Sequence, residues 1–232
     1  FFINSGTNTV SFADVKDNSA AGGFAIIAGS TSIHSGHNVN WTFTFAASAV
    51  EVNGVNAGLT NGAVSWGDYN NDGRLDLMVN GLDNASNRVL WVFRNEGSSF
   101  TKVDAGAASG GLTGWSAWGD YNNDGLLDIA VCGNNAGAGI ANALWVFRNN
   151  GDNTFTKIDV AGVGGGLAQS VAWGDYNNDG LLDIANTGPY ELWIFRNNGD
   201  GTFTKVDVAG TNGGLGNTSS VAWGDYNNDG LL

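Results

Sequence analysis

The 232-residue chain is poor in cysteine, histidine and basic side chains. It has one cysteine, two histidines, and 9 lysines and arginines against 22 aspartates and glutamates, which gives a net charge of −13. A single cysteine, Cys132, excludes an internal disulfide. So few basic residues leave no patch to neutralise nucleic-acid phosphates or an anionic membrane surface. No apolar run approaches the ~20 residues of a membrane span. We therefore expect neither nucleic-acid binding nor membrane insertion.

The composition favours an all-β fold with many turns. Charged residues are only 13% of the chain, proline occurs once, and glycine accounts for 37 residues. Catalysis has little support, because the histidines His34 and His37 lie away from the repeated sequence and no nucleophile–base arrangement is evident. We therefore expect a protein that is not an enzyme.

One string of eight residues is repeated. WGDYNNDG begins at Trp66, Trp118, Trp173 and Trp223, so that successive copies are 52, 55 and 50 residues apart. A fixed period of this size is typical of a repeat architecture in which each unit is one supersecondary module.

Each copy opens an acidic loop. Counted from its first Asp, the loop offers side-chain oxygens at positions 1, 3, 5 and 9, a backbone carbonyl at position 7 and a glycine at position 6 that permits a sharp turn. At position 7 we expect no contribution from the side chain. The complete sets are Asp68, Asn70, Asp72, Arg74 and Asp76; Asp120, Asn122, Asp124, Leu126 and Asp128; and Asp175, Asn177, Asp179, Leu181 and Asp183.

The donor chemistry predicts Ca²⁺, which takes 6–8 oxygen ligands in a flexible geometry. Mg²⁺ prefers fewer carboxylates and more water, and Zn²⁺ prefers thiolate or imidazole. An EF-hand would carry a glutamate at position 12, which these loops lack. The alternative without metal is a turn in which Asp and Asn side chains bond their own backbone. A fourth set, Asp225, Asn227 and Asp229, has no position-9 residue, and we expect it to bind weakly or not at all.

Around each loop the repeat predicts four short strands. In the third copy these are Ser170–Trp173, Leu181–Asn186, Leu192–Asn197 and Phe203–Asp207. Four antiparallel strands in about fifty residues form a β-propeller blade. We expect a packing role for the recurring tryptophans and pairing with loop carboxylates for the arginines that end the third strands. These residues are Trp66, Trp91, Trp118, Trp145, Trp173 and Trp193, and Arg94, Arg148 and Arg196.

The DxNxDGxxD loop followed by LWxFRNNGDGTFTxVD resembles the FG-GAP/VCBS repeat of integrin-α-type propellers. The resemblance runs from about residue 63 to the C-terminus and implies calcium loops that join the first two strands of each blade. We divide the chain into a half-blade (1–15), a degenerate blade or insertion (16–61), three blades (62–112, 113–167 and 168–217) and the start of another (218–232). The terminal pieces could form one split blade, or the chain could be part of a larger propeller.

Calcium affinities of ~10⁻⁴–10⁻³ M suit the extracellular space, so we expect an extracellular or cell-surface protein. The connections between strands two and three differ among the copies, and such loops on a constant scaffold can carry binding specificity, although unconstrained drift would look the same. The first hypothesis is an adhesion or recognition module for glycan or protein. The second is a structural subunit that assembles through its terminal half-blades, and the third is a propeller attached to a larger secreted enzyme.

Overall fold

The computed structural model divides the chain into two units, Phe1–Glu51 and Val52–Leu232. The residues it describes are 59–106, 110–135, 140–160, 169–188, 191–207, 220–230 and 232, with the short strands 9–10, 14–15, 26–28, 33–34 and 41–43. Within these residues the secondary structure is β throughout, and no helix is found that could cross a membrane.

The described residues of the first unit form five short strands. Two of them, β3 and β5, fall in the apolar segments 24–29 and 41–47. Strands β1, β3 and β5 pair in parallel, as do β2 and β4. The predicted half-blade and degenerate blade lie mostly outside the described residues and stay predictions. The strands are β1 (Thr9–Val10), β2 (Asp14–Val15), β3 (Ile26–Ala28), β4 (Ile33–His34) and β5 (Trp41–Phe43).

The described residues of the second unit form three four-stranded antiparallel sheets, whose strands lie side by side in chain order. We call them module 1 (59–106), module 2 (110–160) and module 3 (169–207). The predicted all-β fold with four strands per repeat is confirmed. The strands are β6 (Val64–Gly67), β7 (Asp76–Leu82), β8 (Arg88–Asn95) and β9 (Phe100–Asp104); β10 (Ser116–Gly119), β11 (Asp128–Asn135), β12 (Ile140–Asn149) and β13 (Phe155–Asp159); and β14 (Ser170–Gly174), β15 (Asp183–Gly188), β16 (Glu191–Asn197) and β17 (Phe203–Asp207).

The second strand of each module starts later than the sequence pattern predicts. In module 3 it begins at Asp183 rather than Leu181. The reason is local, because the Leu181 amide donates to Asp179 Oδ1 at 3.0 Å and so belongs to the acidic loop. Asp183 then pairs with Gly174, the glycine that follows the repeated tryptophan. The acidic loop thus joins the end of strand one to the start of strand two.

Successive modules share their cores. Met78 and Leu90 of module 1 pack in one buried cluster with Trp145 of module 2. On the other face of module 2, Leu144 packs with Ile184 of module 3. The central strands of module 2 are therefore apolar on both faces, since each face is covered by a neighbour, as in repeat proteins whose units contact only adjacent units.

Candidate metal loops and the seams between repeats

The acidic loop of module 2 is a tight turn organised by its own side chains. Asp120 Oδ1 accepts from the Asp124 amide at 3.1 Å and Asp120 Oδ2 accepts from the Gly125 amide at 2.9 Å. Asn122 Oδ1 accepts from the same Asp124 amide at 3.1 Å. Positions 1, 3 and 5 are thus gathered on one turn. The glycine at position 6 has φ +86°, as the sequence predicts, and Asn123 at position 4 has φ 56°.

The same turn forms in every copy, including the incomplete one. Asp225 Oδ2 accepts from the Gly230 amide at 2.7 Å, and Asp225 Oδ1 accepts from the Asp229 amide at 3.2 Å. This copy lacks a position-9 residue, so the turn is a local property of the sequence DYNNDG. Left-handed backbone at position 4 was not predicted, although asparagine tolerates it better than most residues do.

The position-9 carboxylates lie beneath the loops and are fully buried. Asp128 Oδ1 accepts from the Asn149 amide at 2.7 Å and its Oδ2 from the Tyr121 amide at 3.3 Å. Burial, and to a smaller extent the neighbouring carboxylates of Asp124 and Asp120, raise the pKa of Asp128 to about 7, although the two amide hydrogen bonds lower it. The pKa values of the equivalent Asp76 and Asp183 are raised for the same reason, burial.

The arginines that end the third strands do not pair as predicted, and the loop residue Arg74 makes contacts of its own. The Arg74 side chain, from which no metal ligand is expected, donates to Asp72 Oδ2 at 2.6 Å and to the Asn95 carbonyl at 2.6 Å. Arg94 pairs with Glu96 of the adjacent hairpin at 2.6 Å rather than with a loop carboxylate. In modules 2 and 3 the corresponding arginines reach hairpin asparagines at 3.5 Å. Their position at the end of strand three places them beside the hairpin, which explains the difference.

Chemically, the loops fit a calcium ion. Their donors are all oxygens, and an ionised carboxylate offers about four lone-pair sites, of which the amides take one or two. The charges that act on Asp128 are negative, so a bound cation would offset them. Among the described residues, however, no three His, Cys, Asp or Glu side chains form a group that could hold a metal ion. The calcium assignment therefore stays a prediction.

The acidic loops of modules 1 and 2 also contact the next module, and this contact was not predicted from the sequence. The ring of Tyr69, at position 2, stacks on Trp118 of module 2 with centroids 6.2 Å apart and 14° between the ring planes. Tyr121 stacks on Trp173 of module 3 at 6.1 Å and 14°. We call each of these contacts between consecutive repeats a seam. Stacked aromatic pairs add about 0.5–1.5 kcal/mol beyond the area they bury.

Hydrogen bonds accompany the stacking. Asn149, the last residue of β12, donates through Nδ2 to the Tyr69 carbonyl at 2.8 Å, and Asn197 donates to the Tyr121 carbonyl at 2.8 Å. Loops also bond directly to one another, because Asn71 Nδ2 donates to the Gly125 carbonyl at 2.6 Å. The tyrosine and the asparagine are identical in every copy, and this repetition was the only indication of the contact in the sequence. Its role became evident only from the position of the next repeat.

Glycine allows the two sides of the seam to approach each other closely. A Cβ atom at Gly119 would lie 2.6 Å from the indole of Trp173, and one at Gly67 would lie 2.8 Å from that of Trp118. A distance under 3.0 Å is shorter than real Cβ contacts, so Gly67 and Gly119 are needed for the close approach of the next tryptophan.

The fold and loops define an all-β repeat protein with one acidic loop per repeat. Residues 120–186 and 183–232 match the model of the FG-GAP-like repeat. Residues 120–232 therefore consist of FG-GAP-like repeats, and the resemblance seen in the sequence is confirmed there.

Other comparisons add little. No curated protein matches the chain. A solved lectin from Agrocybe aegerita, described as specifically recognising non-reducing terminal N-acetylglucosamine, is 24% identical, with a TM-score of 0.42. The match covers 62% of this chain and 37% of the lectin, so the chain spans just over a third of the lectin's length. At this TM-score the likeness carries no argument about the fold or the ligand.

Proposed function

We propose that the modules are blades of a calcium-stabilised extracellular β-propeller that recognises a glycan or a protein and catalyses no reaction. Support comes from three consecutive four-stranded antiparallel sheets that pack face to face, and from the FG-GAP-like repeats. In this reading the acidic loops stabilise the seams, and the opposite ends of the strands carry the binding surface.

Calcium would be held by positions 1, 3, 5 and 9 of each complete loop and by the position-7 carbonyl, with water completing its coordination. The bound ion would place positive charge beside the buried carboxylate of position 9 and the clustered carboxylates of the loop. At a calcium concentration ten times the dissociation constant, each site would add about 1.4 kcal/mol of stability. Since the loops form part of every seam, calcium would stabilise the contact between modules as well as the loop itself.

Thermal unfolding in calcium and in EGTA tests this proposal. We expect calcium to raise the melting temperature of the wild type and to raise it less in Asp120→Asn. Asp152→Asn is the matched control, because Asp152 is an exposed aspartate of the β12–β13 hairpin that also accepts a backbone amide, from Thr154 at 3.0 Å. Equal melting temperatures of the wild type in calcium and EGTA would refute the calcium proposal.

The location of the proposed binding surface rests on one observation. Trp115 is 55% exposed and immediately precedes β10, whereas the acidic loop follows the other end of that strand. Beside it, Thr113 and Arg88 both bond the Asn134 carbonyl, at 3.2 and 3.1 Å. An exposed indole with a guanidinium and hydroxyl nearby, contributed by two modules, is typical of a recognition surface, where Trp and Arg are enriched.

Binding screens against glycans and proteins test this surface. For any ligand found, Trp115→Ala should weaken binding by about tenfold or more, the effect expected of a central aromatic contact. Trp66→Ala is the matched control, since Trp66 is also 55% exposed but lies next to the acidic loop of module 1. If both substitutions left the affinity unchanged, the binding surface would lie elsewhere.

A structural role in an extracellular assembly is the second candidate. The observation that favours it is the 55% exposure of Trp66, whose equivalents Trp118 and Trp173 stack on the tyrosine of the preceding module. Attachment to a larger secreted enzyme stays a hypothesis that the described residues do not address.

A further inference from the structure

Two residues that break the repeat pattern lie near each other, Trp115 and Arg88. Trp115 stands three residues before the tryptophan of strand one, and Arg88 stands two residues before the first leucine of strand three. The residues at these positions in the other copies are Ala63, Ser170 and Ser220 for Trp115, and Asn142 and Tyr190 for Arg88. The requirements of the scaffold, which all copies share, therefore do not account for either residue.

Strand pairing brings the two residues together. The Trp115 carbonyl accepts from the Cys132 amide at 2.9 Å, and two residues further along these strands Thr113 pairs with Asn134. The Arg88 Nε of module 1 donates to that Asn134 carbonyl at 3.1 Å. Two residues of extended strand span about 7 Å. The Arg88 guanidinium and Trp115 are therefore separated by roughly this distance along the sheet.

The site between them offers more hydrogen-bond donors than acceptors. The Asn134 carbonyl already accepts from the Thr113 amide and hydroxyl as well as from Arg88, and Asn134 Oδ1 accepts from the Asn142 amide at 2.9 Å. Holding Oδ1 in this way leaves Asn134 Nδ2 as a donor. Among the described residues, no partner is found for this Nδ2, the Arg88 Nη groups or the Trp115 indole N–H. Such a site suits a ligand rich in acceptors.

Comparable groups elsewhere in the second unit are already bonded. Arg74 and Arg94 form ion pairs, and the arginines that end strand three of modules 2 and 3 reach hairpin asparagines. The strand-one tryptophans of modules 2 and 3 donate their indole N–H to a carbonyl of the preceding module. An indole and a guanidinium with free N–H groups therefore distinguish this site.

The acidic loops do not prevent an anion from binding here. Trp115 lies five residues before Asp120, the first residue of the nearest loop in the chain, and the extended strand between them spans about 16 Å. Physiological salt screens exposed charges beyond ~8 Å. Asp83, in the turn before β8, bonds the amides of that turn and not Arg88.

We propose that this site binds a carboxylated sugar, with the sugar ring on the Trp115 indole and the carboxylate on the Arg88 Nη groups. The planar guanidinium matches a carboxylate in geometry, and the indole N–H and Asn134 Nδ2 can donate to sugar oxygens. A uronic acid carries its ring and its carboxylate in one rigid unit, which fits the short separation. An acidic peptide carries the carboxylate on a flexible stem without such a ring. The inference rests on the Trp115 surface proposed above, whose ligand it specifies, and is independent of calcium.

Two matched disaccharides test the ligand. Cellobiouronic acid and cellobiose have the same rings and differ in a carboxylate in place of a hydroxymethyl group. Each is titrated into the isotopically labelled chain while NMR follows the Trp115 indole N–H signal, identified by its absence in Trp115→Ala. We expect the acid to shift this signal and to bind about tenfold more tightly than cellobiose, since its hydrogen bonds are charge-assisted. Added salt should reduce the preference.

Substitutions separate the two roles. Arg88→Gln should bring the affinity for the acid down to that for cellobiose, and Arg88→Lys, which keeps the charge without the planar fork, should retain part of the preference. Trp115→Ala should weaken binding of both sugars. Arg148→Gln is the matched control, because Arg148 also contacts an asparagine but lies by the β12–β13 hairpin, and it should bind like the wild type. Melting temperatures close to that of the wild type would verify the fold of each variant.

Four results would overturn the inference. Equal affinity for the acid and cellobiose would remove the carboxylate from the proposal but leave the Trp115 surface standing. A preference for the acid that survives Arg88→Gln would remove Arg88 from it. Tetraglutamate bound as tightly as the acid would indicate a site for acidic peptide. Absence of any shift would exclude the carboxylated sugar, while Trp115→Ala tested with ligands from the wider screens decides the proposed surface separately.

Discussion

Replacing glycine by alanine in two identical octapeptides measures what a seam contributes to stability. In Gly119→Ala the new Cβ would lie 2.6 Å from the Trp173 indole. Either the Trp173 side chain must shift, or the two modules must move apart. Overpacking of this kind costs about 1–3 kcal/mol. Lower entropy of the unfolded chain offsets about 0.4–1 kcal/mol of that cost when alanine replaces glycine.

Gly224→Ala is the matched control, because it changes the same residue of the same string WGDYNNDG where nothing lies within 4 Å. The unfolded-chain effect is then common to both variants. Their free energies of unfolding should differ by about 1–3 kcal/mol, with Gly119→Ala the less stable. Urea unfolding of dilute samples, followed by tryptophan fluorescence, measures this difference. Equal midpoints and slopes for the two variants would show that the seam does not require glycine.

Three further predictions concern single side chains. Asn149→Ala should cost about 1–3 kcal/mol of unfolding free energy, because it leaves buried carbonyls without a donor, whereas Asn95→Ala, at a more exposed site, should cost less in the same urea titration. Arg74→Leu frees Asp72 from its ion pair and should increase calcium binding by the first loop in isothermal titration calorimetry; unchanged binding would contradict this. Burial raises the pKa of Cys132 to about 12, so its thiol should resist alkylation in the folded protein and react on unfolding, as mass spectrometry would show.

Local sequence alone determined the strands and the acidic turn. The alignment of the repeats placed strand four of module 3 at Phe203–Asp207, where it lies. The string DYNNDG folds into the same turn in all four copies, including the one that starts at Asp225 and lacks position 9. These features form from contacts within a few residues, so a sequence pattern is enough to predict them.

Other features depend on atoms far along the chain. The sequence predicted Asp128 as a loop residue, but its burial and its bond to the Asn149 amide follow from the packing of β11 and β12. Similarly, Arg94 was expected at a loop carboxylate and instead pairs with Glu96, because the hairpin is nearer. No local pattern carries this information, since it depends on which strand ends meet.

The repeated octapeptide separates the two kinds of information most clearly. Its tyrosine is 1% exposed at Tyr69 and 96% exposed at Tyr226, although the eight residues around each are the same. Sequence determined the turn that presents the ring. The tertiary structure decided whether the ring is buried, because a tryptophan from the next repeat must stack on it, and that tryptophan lies about fifty residues away.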